Sequence, residues 1–431
     1  MEKNFIPTIK KNLQSIIVML VLFITSFIFY RSHMYDFECG DMGLKITGAR
    51  LQTQGASAYL YTEPDSSKVI DGVVSTPLLN LLHTPFINFN SCQVKQASFW
   101  VNFVLLLLVL LFIIWLFSGV KKIRLYALAF FLPVFFLFAN PFFYNLLRGQ
   151  EYSLFALIFF VLLYLLKKEQ YFMLGIIWVL AIAIRPLFLA GTLLVLLYFN
   201  RKIIAGLVTG AILVVLLTLL TNTMGYWKEY LVAMKQYVHE LPDDASGVGI
   251  YKGEHRAGFN SSFNDCQGTL SPTGLVRFRS KFHGILLQPL QFWLLKRHKT
   301  ISNTTFYSAI AGLLCLIFAG AVRLRLKKIT AEKYAATLFV LYLFCEVCAP
   351  APRGEYSFIL WVFGTTLITA KANVVEIALL VIGLLAVDNV IYFKIPGMGE
   401  ICMLVACIMF IFRKTQQPYY MRIWPLKTDA D

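Results

Sequence analysis

Charged residues are scarce in this chain: Asp, Glu, Lys and Arg make up only 14% of its 431 residues. Hydrophobic residues make up 58%, and Phe alone occurs 38 times. A soluble core of this length cannot bury so much apolar surface, so the composition predicts a polytopic membrane protein. No stretch has the composition of an appended soluble catalytic domain. Any chemistry is therefore expected from the membrane helices and their loops.

The signatures of the common soluble enzymes are also missing. The sequence has no glycine-rich phosphate loop followed by Lys and Ser or Thr, no His-Glu-x-x-His and no Gly-x-Ser-x-Gly. Their absence excludes ATP-driven pumps and the commonest membrane proteases. A carrier or an intramembrane transferase is still compatible with the sequence.

The eight cysteines form no recognisable framework. Cys39 and Cys92 lie in one predicted outer loop and Cys266 in another, where a disulfide is permitted but no pairing is indicated. Cys345 and Cys348 have zinc-like spacing inside an apolar helix, without a second pair of ligands. We therefore predict neither a metal nor a cofactor.

Basic residues concentrate in short connections between apolar segments. If every segment crosses the membrane once, these connections and the basic N-terminus fall on one side, which is the positive-inside pattern. The pattern explains much of the formal net charge of +16, predicts that both termini are cytoplasmic and gives no reason to expect a nucleic-acid partner. The basic positions are Lys3, Lys10, Lys11, 121–124, 167–168, 201–202, 323–328, Lys371 and 413–414.

The predicted fold class is an all-α polytopic membrane protein, a single membrane domain spanning residues 1–431 with about 12 transmembrane helices. The first helix is expected to be retained, because no cleavage pattern follows it. Several segments are shorter than the roughly 20 apolar residues of a full crossing, so polar residues are expected to complete them. The segments are 13–30, 99–120, 125–147, 152–166, 171–184, 186–200, 203–220, 304–322, 334–350, 356–370, 374–393 and 401–412.

Two long outer loops, 31–98 and 221–303, are expected to carry surface helices. Apolar spacing predicts a short helix over 47–61 in the first loop, and amphipathic helices over 226–237 and 285–295 in the second.

Acidic residues follow the first predicted helix at Asp36, Glu38 and Asp41. A carboxylate close to a membrane exit is costly unless it is hydrated, paired or used, so this cluster is a candidate catalytic site. A solvated start to an outer loop is the alternative interpretation.

The order of several sequence elements resembles the GT-C glycosyltransferases, and within them family 87, the polyprenyl-phosphate-sugar-dependent enzymes typified by bacterial mannosyltransferases. The late outer turn carries an acidic-Tyr pair similar to that of the family. In the family, an Asp, an apolar residue and a Tyr lie close together. In this chain the corresponding features are divided between 35–37 and 41–42. Asp41 is favoured over Asp36 as the catalytic residue, because its separation in sequence from 55–59 fits the family pattern better. The matching elements are Asp41, 48–50, 55–59, 76–82, 148–150, 184–186 and 349–356.

The resemblance implies a GT-C-like bundle that acts at the outer face of a bacterial cell membrane. It implies transfer of a hexose such as mannose, with inversion, from a polyprenyl-phosphate donor to a lipid or glycan acceptor of the cell envelope. No metal is required for such a transfer.

The chemistry of sugar transfer assigns three kinds of residue. A carboxylate must take the proton of the acceptor hydroxyl, and Asp41 or Asp36 is expected to do so. Cationic and hydrogen-bonding side chains must stabilise the departing phosphate, and those predicted are Arg148, Arg185, Arg353 and His255. Interfacial snorkelling is the alternative reading of each Arg. Further substrate contacts are predicted for Gln150, Glu151, Glu355, Tyr356 and His283.

Two rival functions are compatible with about twelve helices. A secondary transporter should show related halves with interrupted helices, and we find no internal repeat. A polymerase or ligase of the O-antigen type, which acts on polyprenyl-diphosphate-linked glycans, would instead rely on basic residues of the second loop, such as Arg256, Arg277, Arg279 and His283.

Overall fold

A computed structural model describes residues 2–37, 39–56, 59, 61–62, 75–116, 140–191, 201–240, 254–255, 308, 311–312, 315, 331–348, 355–360, 368–369, 372–387 and 397–413. Helices dominate these residues. They are α1 (Glu2–Ser32), α2 (Gly40–Thr53), α3 (Pro77–Leu81), α4 (Ser91–Leu116), α5 (Asn140–Arg148), α6 (Tyr152–Lys167), α7 (Tyr171–Ile184), α8 (Arg201–Leu220), α9 (Met224–Glu240), α10 (Ala331–Cys348), α11 (Val374–Val387) and α12 (Met398–Phe412).

Short elements connect the helices. Single 3-10 turns cover Met34–Asp36, Thr84–Phe86, Pro186–Gly191 and Glu355–Phe358. A two-residue parallel pair joins β1 (Tyr61–Thr62) of the first predicted loop to β2 (Glu254–His255) of the second, with Thr62 opposite His255. Apart from this pair, the described residues agree with the predicted all-α class.

Helix bounds agree with the predicted segments to different degrees. The segment 171–184 coincides with α7, and 203–220 lies within α8. The bounds predicted for the surface helix, 47–61, are wrong, since α2 begins at Gly40 and ends at Thr53. The predicted helix over 285–295 and most of the segment 304–322 lie outside the described residues.

Two helices in the described part of the chain are long and apolar enough to cross a membrane, residues 91–112 of α4 and the whole of α8. The pair α5 and α6, bent by 118°, is a third candidate. Along α8, Val208, Ile212, Val215 and Leu219 are exposed at a spacing that places them on one face. Such an apolar stripe suits contact with lipid. The total of about 12 crossings stays a prediction.

Helices α7 and α8 pack side by side and run parallel. A Cβ atom at Gly206 would overlap the carbonyl oxygen of Phe172, and one at Gly175 would lie 2.5 Å from the carbonyl oxygen of Ile203. Gly210 lies against Ile176 one turn further along. Glycines at these positions let the two backbones approach closely, which strengthens helix packing in membranes.

Charged side chains form hydrogen bonds and an ion pair where α10, α11 and α12 meet. Arg413 Nη1 donates to Glu376 Oε2 at 2.8 Å, and Lys333 Nζ donates to the backbone carbonyl of Arg413. Asn373 and Glu376 cap the start of α11 reciprocally, each bond being 2.8 Å. The starts of α10 and α11 and the end of α12 therefore adjoin one end of the bundle.

Aromatic rings fix the first helix against its neighbours. Phe99 and Phe103 of α4 lie 4.7 Å apart, centroid to centroid, and Phe103 also contacts Phe27 of α1 and Phe142 of α5. Tyr30, near the end of α1, packs edge-on against Phe142 at 5.3 Å. This cluster sets where the chain leaves α1 and enters the acidic segment.

We expect Gly206→Ala to destabilise the protein by about 1–3 kcal/mol, the usual cost of overpacking a tight contact. The added methyl group has no space beside Phe172, so α7 and α8 must separate. The measurement is thermal unfolding in detergent. Gly225→Ala, where nothing lies within 4 Å of a Cβ, is the control. Equal melting temperatures for the two variants would contradict the close packing.

Candidate functional site

The turn between α5 and α6 (residues 149–151) is the centre of the site. Gly149 has φ of +66°, a conformation that disfavours side chains. A Cβ there would lie 2.8 Å from Met42 Cβ and 3.2 Å from Cys39 Cα. The start of α2 therefore docks directly on the turn, and the backbone N–H of Cys39 donates to the carbonyl of Leu147 at 2.8 Å.

Two buried asparagines hold the backbone of this turn. Asn145 accepts from the backbone N–H of Gln150 at 2.8 Å through its main chain and from that of Tyr152 at 3.1 Å through its side chain. Asn145 Nδ2 donates to Asn102 Oδ1 at 2.7 Å, and Asn102 Nδ2 donates to the carbonyl of Gln150 at 3.3 Å. The backbone N–H and carbonyl of Gln150 and the N–H of Tyr152 are thus satisfied within the protein, as polar groups of a buried turn must be. The sequence reasoning missed both residues, although Asn in an apolar segment is a usable signal.

Asp41 lies beside Gln150. The side-chain amide of Gln150 donates to Asp41 Oδ2 at 2.6 Å. Asp41 is in the first turn of α2, where the helix dipole favours a carboxylate. It is partly exposed, and no cation of the described residues forms an ion pair with it. Two sequence elements predicted to share a site are therefore in contact.

Glu151, the next residue, is buried and held by a lysine and a histidine side chain. Lys45 Nζ of α2 lies 3.3 Å from Glu151 Oε2, and His83 Nε2 contacts Glu151 Oε1. Burial raises the pKa of this carboxyl, but Lys45 and His83 outweigh that effect and hold it at about 2. Glu151 lies in the turn outside both helices and stays ionised at neutral pH. Lys45 and His83 were not predicted as site residues.

Tyr152, the first residue of α6, contacts a third group of side chains. Its hydroxyl lies 3.2 Å from Glu346 Oε1 of α10 and contacts Arg185 Nη2. Arg185 also donates to Glu346 Oε1 at 3.1 Å and, through Nε, to the hydroxyl of Tyr342 at 3.2 Å. Its guanidinium lies 4.7 Å from the centroid of the Tyr152 ring and 4.8 Å from that of Phe155. Arg185 Nη1 makes no hydrogen bond to the described residues.

Three consecutive residues therefore make three different sets of contacts. Gln150 contacts Asp41 on α2, Glu151 contacts Lys45 and His83, and Tyr152 contacts Arg185 and Glu346. The ends of α7 and α10 are thereby brought to the start of α6 and the start of α2.

The first loop is tied to both α7 and α9. Thr76 Oγ1 caps α3 and donates to the carbonyl of Ile184 at 3.0 Å, just before Arg185. Tyr59 donates to the carbonyl of Ser75 at 2.9 Å and stacks edge-on with Tyr230 of α9. Burial raises the pKa of the Tyr59 hydroxyl, so it keeps the proton that it donates. The elements 55–59 and 76–82, singled out in the sequence, thus support the site rather than line it.

The remaining predicted residues are placed as follows. Arg148 is the exposed last residue of α5. Asp36 belongs to the 3-10 turn Met34–Asp36, and His255 pairs with Thr62 through the backbone. Glu355 and Tyr356 begin a 3-10 turn that packs on α5. Glu38, Arg353 and His283 lie outside the described residues.

The cysteines of the first loop are not bonded to each other. Cys92, at the start of α4, is disulfide-bonded, whereas Cys39 is buried and keeps its thiol. The described residues contain no group of His, Cys, Asp and Glu able to hold a metal ion.

Residues 76–350 match the model of Glycosyltransferase family 87. This stretch is more than half of the chain and contains the α5–α6 turn, His83 and Arg185, whereas Asp41 and Lys45 precede it. The protein is therefore an enzyme that transfers glycosyl groups, and its apolar helices indicate a membrane protein. The chain belongs to glycosyltransferase family 87, which confirms the resemblance seen in the sequence. No curated protein and no solved structure matches it.

We expect Glu151→Gln to destabilise the protein by about 3–5 kcal/mol, because buried Lys45 loses its anion and His83 loses the carboxylate that it contacts. Thermal unfolding in detergent measures the loss, with Glu169→Gln, an exposed position in the turn just after α6, as the control. Because the pKa of Glu151 is lowered from 4.5 to about 2, the wild-type stabilisation is present above pH 4.5 and is lost as pH falls towards 2. A Glu151→Gln protein as stable as the Glu169→Gln control would rule out the buried ion pairs.

Gly149→Ala should lower sugar transfer, because the new Cβ pushes the turn away from Met42 and Cys39 and moves Gln150 off Asp41. Gly55→Ala is the matched control: φ there is +73°, but nothing lies within 4 Å of a Cβ. Both variants carry a left-handed strain of about 1–2 kcal/mol, and only Gly149→Ala adds the clash. Equal transfer rates in the two variants would show that the docking of α2 does not matter for activity.

Proposed function

We propose that this enzyme moves a sugar from a polyprenyl-phosphate-linked donor to a lipid or glycan acceptor at the outer face of the cell membrane, with inversion and with Asp41 as the general base. The observation that carries the proposal is the contrast among three carboxylates around the α5–α6 turn. Glu151 is paired with Lys45 and Glu346 with Arg185, whereas Asp41 is held by one neutral amide.

A general base needs an ionised carboxylate with an unoccupied lone pair within reach of the acceptor hydroxyl. Gln150 donates to Oδ2 of Asp41 and so orients the carboxylate. Oδ1 is then the oxygen that accepts the hydroxyl proton. As the acceptor oxygen bonds to the anomeric carbon, the bond from that carbon to the phosphate oxygen breaks, and the phosphate leaves with the electron pair. A single displacement of this kind inverts the anomeric configuration.

Arg185 is our main candidate for contact with the departing phosphate. Tyr152, Tyr342 and Glu346 hold its guanidinium on three sides, and Nη1 remains as a fixed donor. A donor that is already oriented stabilises developing charge without reorganisation. Arg148, Arg353 and His255 are proposed as further phosphate contacts, and Gln150, Glu355, Tyr356 and His283 as substrate contacts. For Glu151 the buried ion pairs support a positioning role instead of the substrate contact predicted from the sequence.

The disulfide at Cys92 supports the assignment of the site to the outer face. Disulfides persist on the oxidising side of a membrane, and Cys92 shares the predicted loop 31–98 with Asp41. With this loop outside, the basic connections and both termini are cytoplasmic. A hexose such as mannose is proposed as the sugar on the strength of the likeness to bacterial mannosyltransferases alone.

Asp41→Asn is expected to lower sugar transfer by about 10²–10⁴-fold, the usual loss when a general base is removed. The replacement keeps the size of the side chain but cannot take the proton. The measurement is transfer in liposomes from a panel of polyprenyl-phosphate sugars to lipid acceptors, with folding checked by gel filtration and thermal unfolding.

Asp36→Asn is the matched control, since it makes the same change in the adjacent 3-10 turn. If Asp36→Asn abolishes transfer and Asp41→Asn does not, the base is Asp36. Full activity in both variants, with loss of glycan polymerisation in His283→Ala, would instead favour a polymerase or ligase that relies on the second loop.

A further inference from the structure

His83 is a buried histidine whose two ring nitrogens both face oxygen acceptors. Nδ1 lies 2.9 Å from the backbone carbonyl oxygen of Leu79, and Nε2 contacts Oε1 of Glu151. The side chain is only 4% exposed, so bulk water has little access to either contact. A carbonyl oxygen and an ionised carboxylate can only accept hydrogen bonds. The arrangement is therefore satisfied when both nitrogens carry protons, which makes the ring a cation.

Within the described part of the chain, the charged groups of the cluster around His83 come from two elements. Glu151, in the α5–α6 turn, is the anion, and Lys45, on α2, lies 3.3 Å from its second oxygen. The element that follows His83, the 3-10 turn Thr84–Phe86, contributes the uncharged ring of Phe86. If His83 loses a proton, one ring nitrogen presents a lone pair to an oxygen. One of its two contacts must then break, and Glu151 keeps a single cationic partner.

Glu151 connects this cluster to the proposed base. It follows Gln150, which donates to Asp41, and its partner Lys45 lies one helical turn after Asp41 on α2. The Glu151–Lys45 and Gln150–Asp41 contacts therefore bind the same two segments at adjacent positions. A shift of Glu151 away from Lys45 moves Gln150 in the same direction.

We propose that protonated His83 is a positioning residue for Asp41, which it keeps oriented by holding Glu151 and hence Gln150 in place. Loss of the proton from His83 loosens the turn and lowers the rate of sugar transfer. This role rests on the proposed function, in which Asp41 is the base. Histidine is the side chain that changes charge nearest to neutral pH. The change in transfer rate can therefore be measured in an ordinary enzyme assay.

The test is the pH profile of kcat/KM for the full-length enzyme in liposomes, over about pH 5.5 to 9.5. The wild type should lose transfer on the alkaline side. His83→Gln has no titratable group at this position, so it should transfer sugar more slowly at every pH and lack this alkaline loss. His83→Lys keeps a cation that titrates at about pH 10.4 in the absence of other effects, so its alkaline loss should move to higher pH.

His33→Gln is the control, since His33 lies in the turn before Met34–Asp36 and should leave the wild-type profile in place. A residue that serves only the fold would lower the rate without moving the alkaline limb. The same alkaline limb in the wild type, His83→Gln and His83→Lys would overturn the proposal.

A second readout does not depend on catalysis. Thermal unfolding in detergent is compared at about pH 5.5 and pH 9, on either side of the pH range near neutrality in which histidine side chains change charge. The wild type should lose more stability on this change than His83→Gln or His83→Lys. If the wild type transfers no sugar, the proposed function fails while this comparison still tests His83. Equal losses in all three proteins would remove the positioning role whatever the activity, and if His83→Gln does not fold, His83→Lys carries both tests.

Discussion

The contact between Gly149 and the start of α2 is the constraint on which the site depends. The turn has a left-handed residue, and its backbone lies closer to Met42 and Cys39 than any side chain permits. Because of this approach, an amide in the turn reaches a carboxylate 109 positions earlier in the chain. The bend of 118° between α5 and α6 follows from the same turn, since a straight helix would carry Gln150 and Glu151 past α2.

Low polarity around the bundle imposes a second constraint, because a buried charge without a partner is very costly. In the described residues, buried carboxylates are paired with cations at two places. Glu376 is paired with Arg413 where α11 and α12 meet, and Glu151 and Glu346 have cationic partners around the turn. Pairing fixes these residues in place and also removes them from acid and base chemistry. A carboxylate that is meant to exchange a proton must be left without a cation, and Asp41 satisfies that condition.

Much of the architecture was accessible from the sequence, and the reasons differ by element. The segment 171–184 is uniformly apolar and is bounded by polar residues and Arg185-Pro186, so its limits were predicted without error. The start of α2 was missed because Cys39 precedes it in a left-handed conformation without a side-chain cap, and such a start leaves no sequence signal. Thr76 followed by Pro77 is the opposite case, a cap that can be recognised directly.

Some of the contacts around the α5–α6 turn could be expected from the sequence, and others could not. The family resemblance placed Asp41, Gln150 and Arg185 together, and the structure brings Gln150 into contact with Asp41 and sets Arg185 on Tyr152, two residues further on. Lys45 and His83 were missed because their partner Glu151 is distant in sequence, and an isolated basic residue in a loop is usually solvated. Only the fold shows that these cations are buried against one carboxylate.

The arrangement also explains how Asp41, the proposed base, can depend on the family-matching region 76–350 although it precedes that region. Asp41 and Lys45 are one turn apart on the same face of α2, and they meet two consecutive residues of the α5–α6 turn. The two contacts differ in kind: one is an ion pair that resists separation, and the other is a hydrogen bond to a neutral amide. The ion pair fixes the position of α2 relative to the turn. The weaker contact involves a carboxylate that has no cationic partner among the described residues and can still take a proton. Separating these two tasks between neighbouring residues lets a rigid turn hold a reactive group without neutralising it.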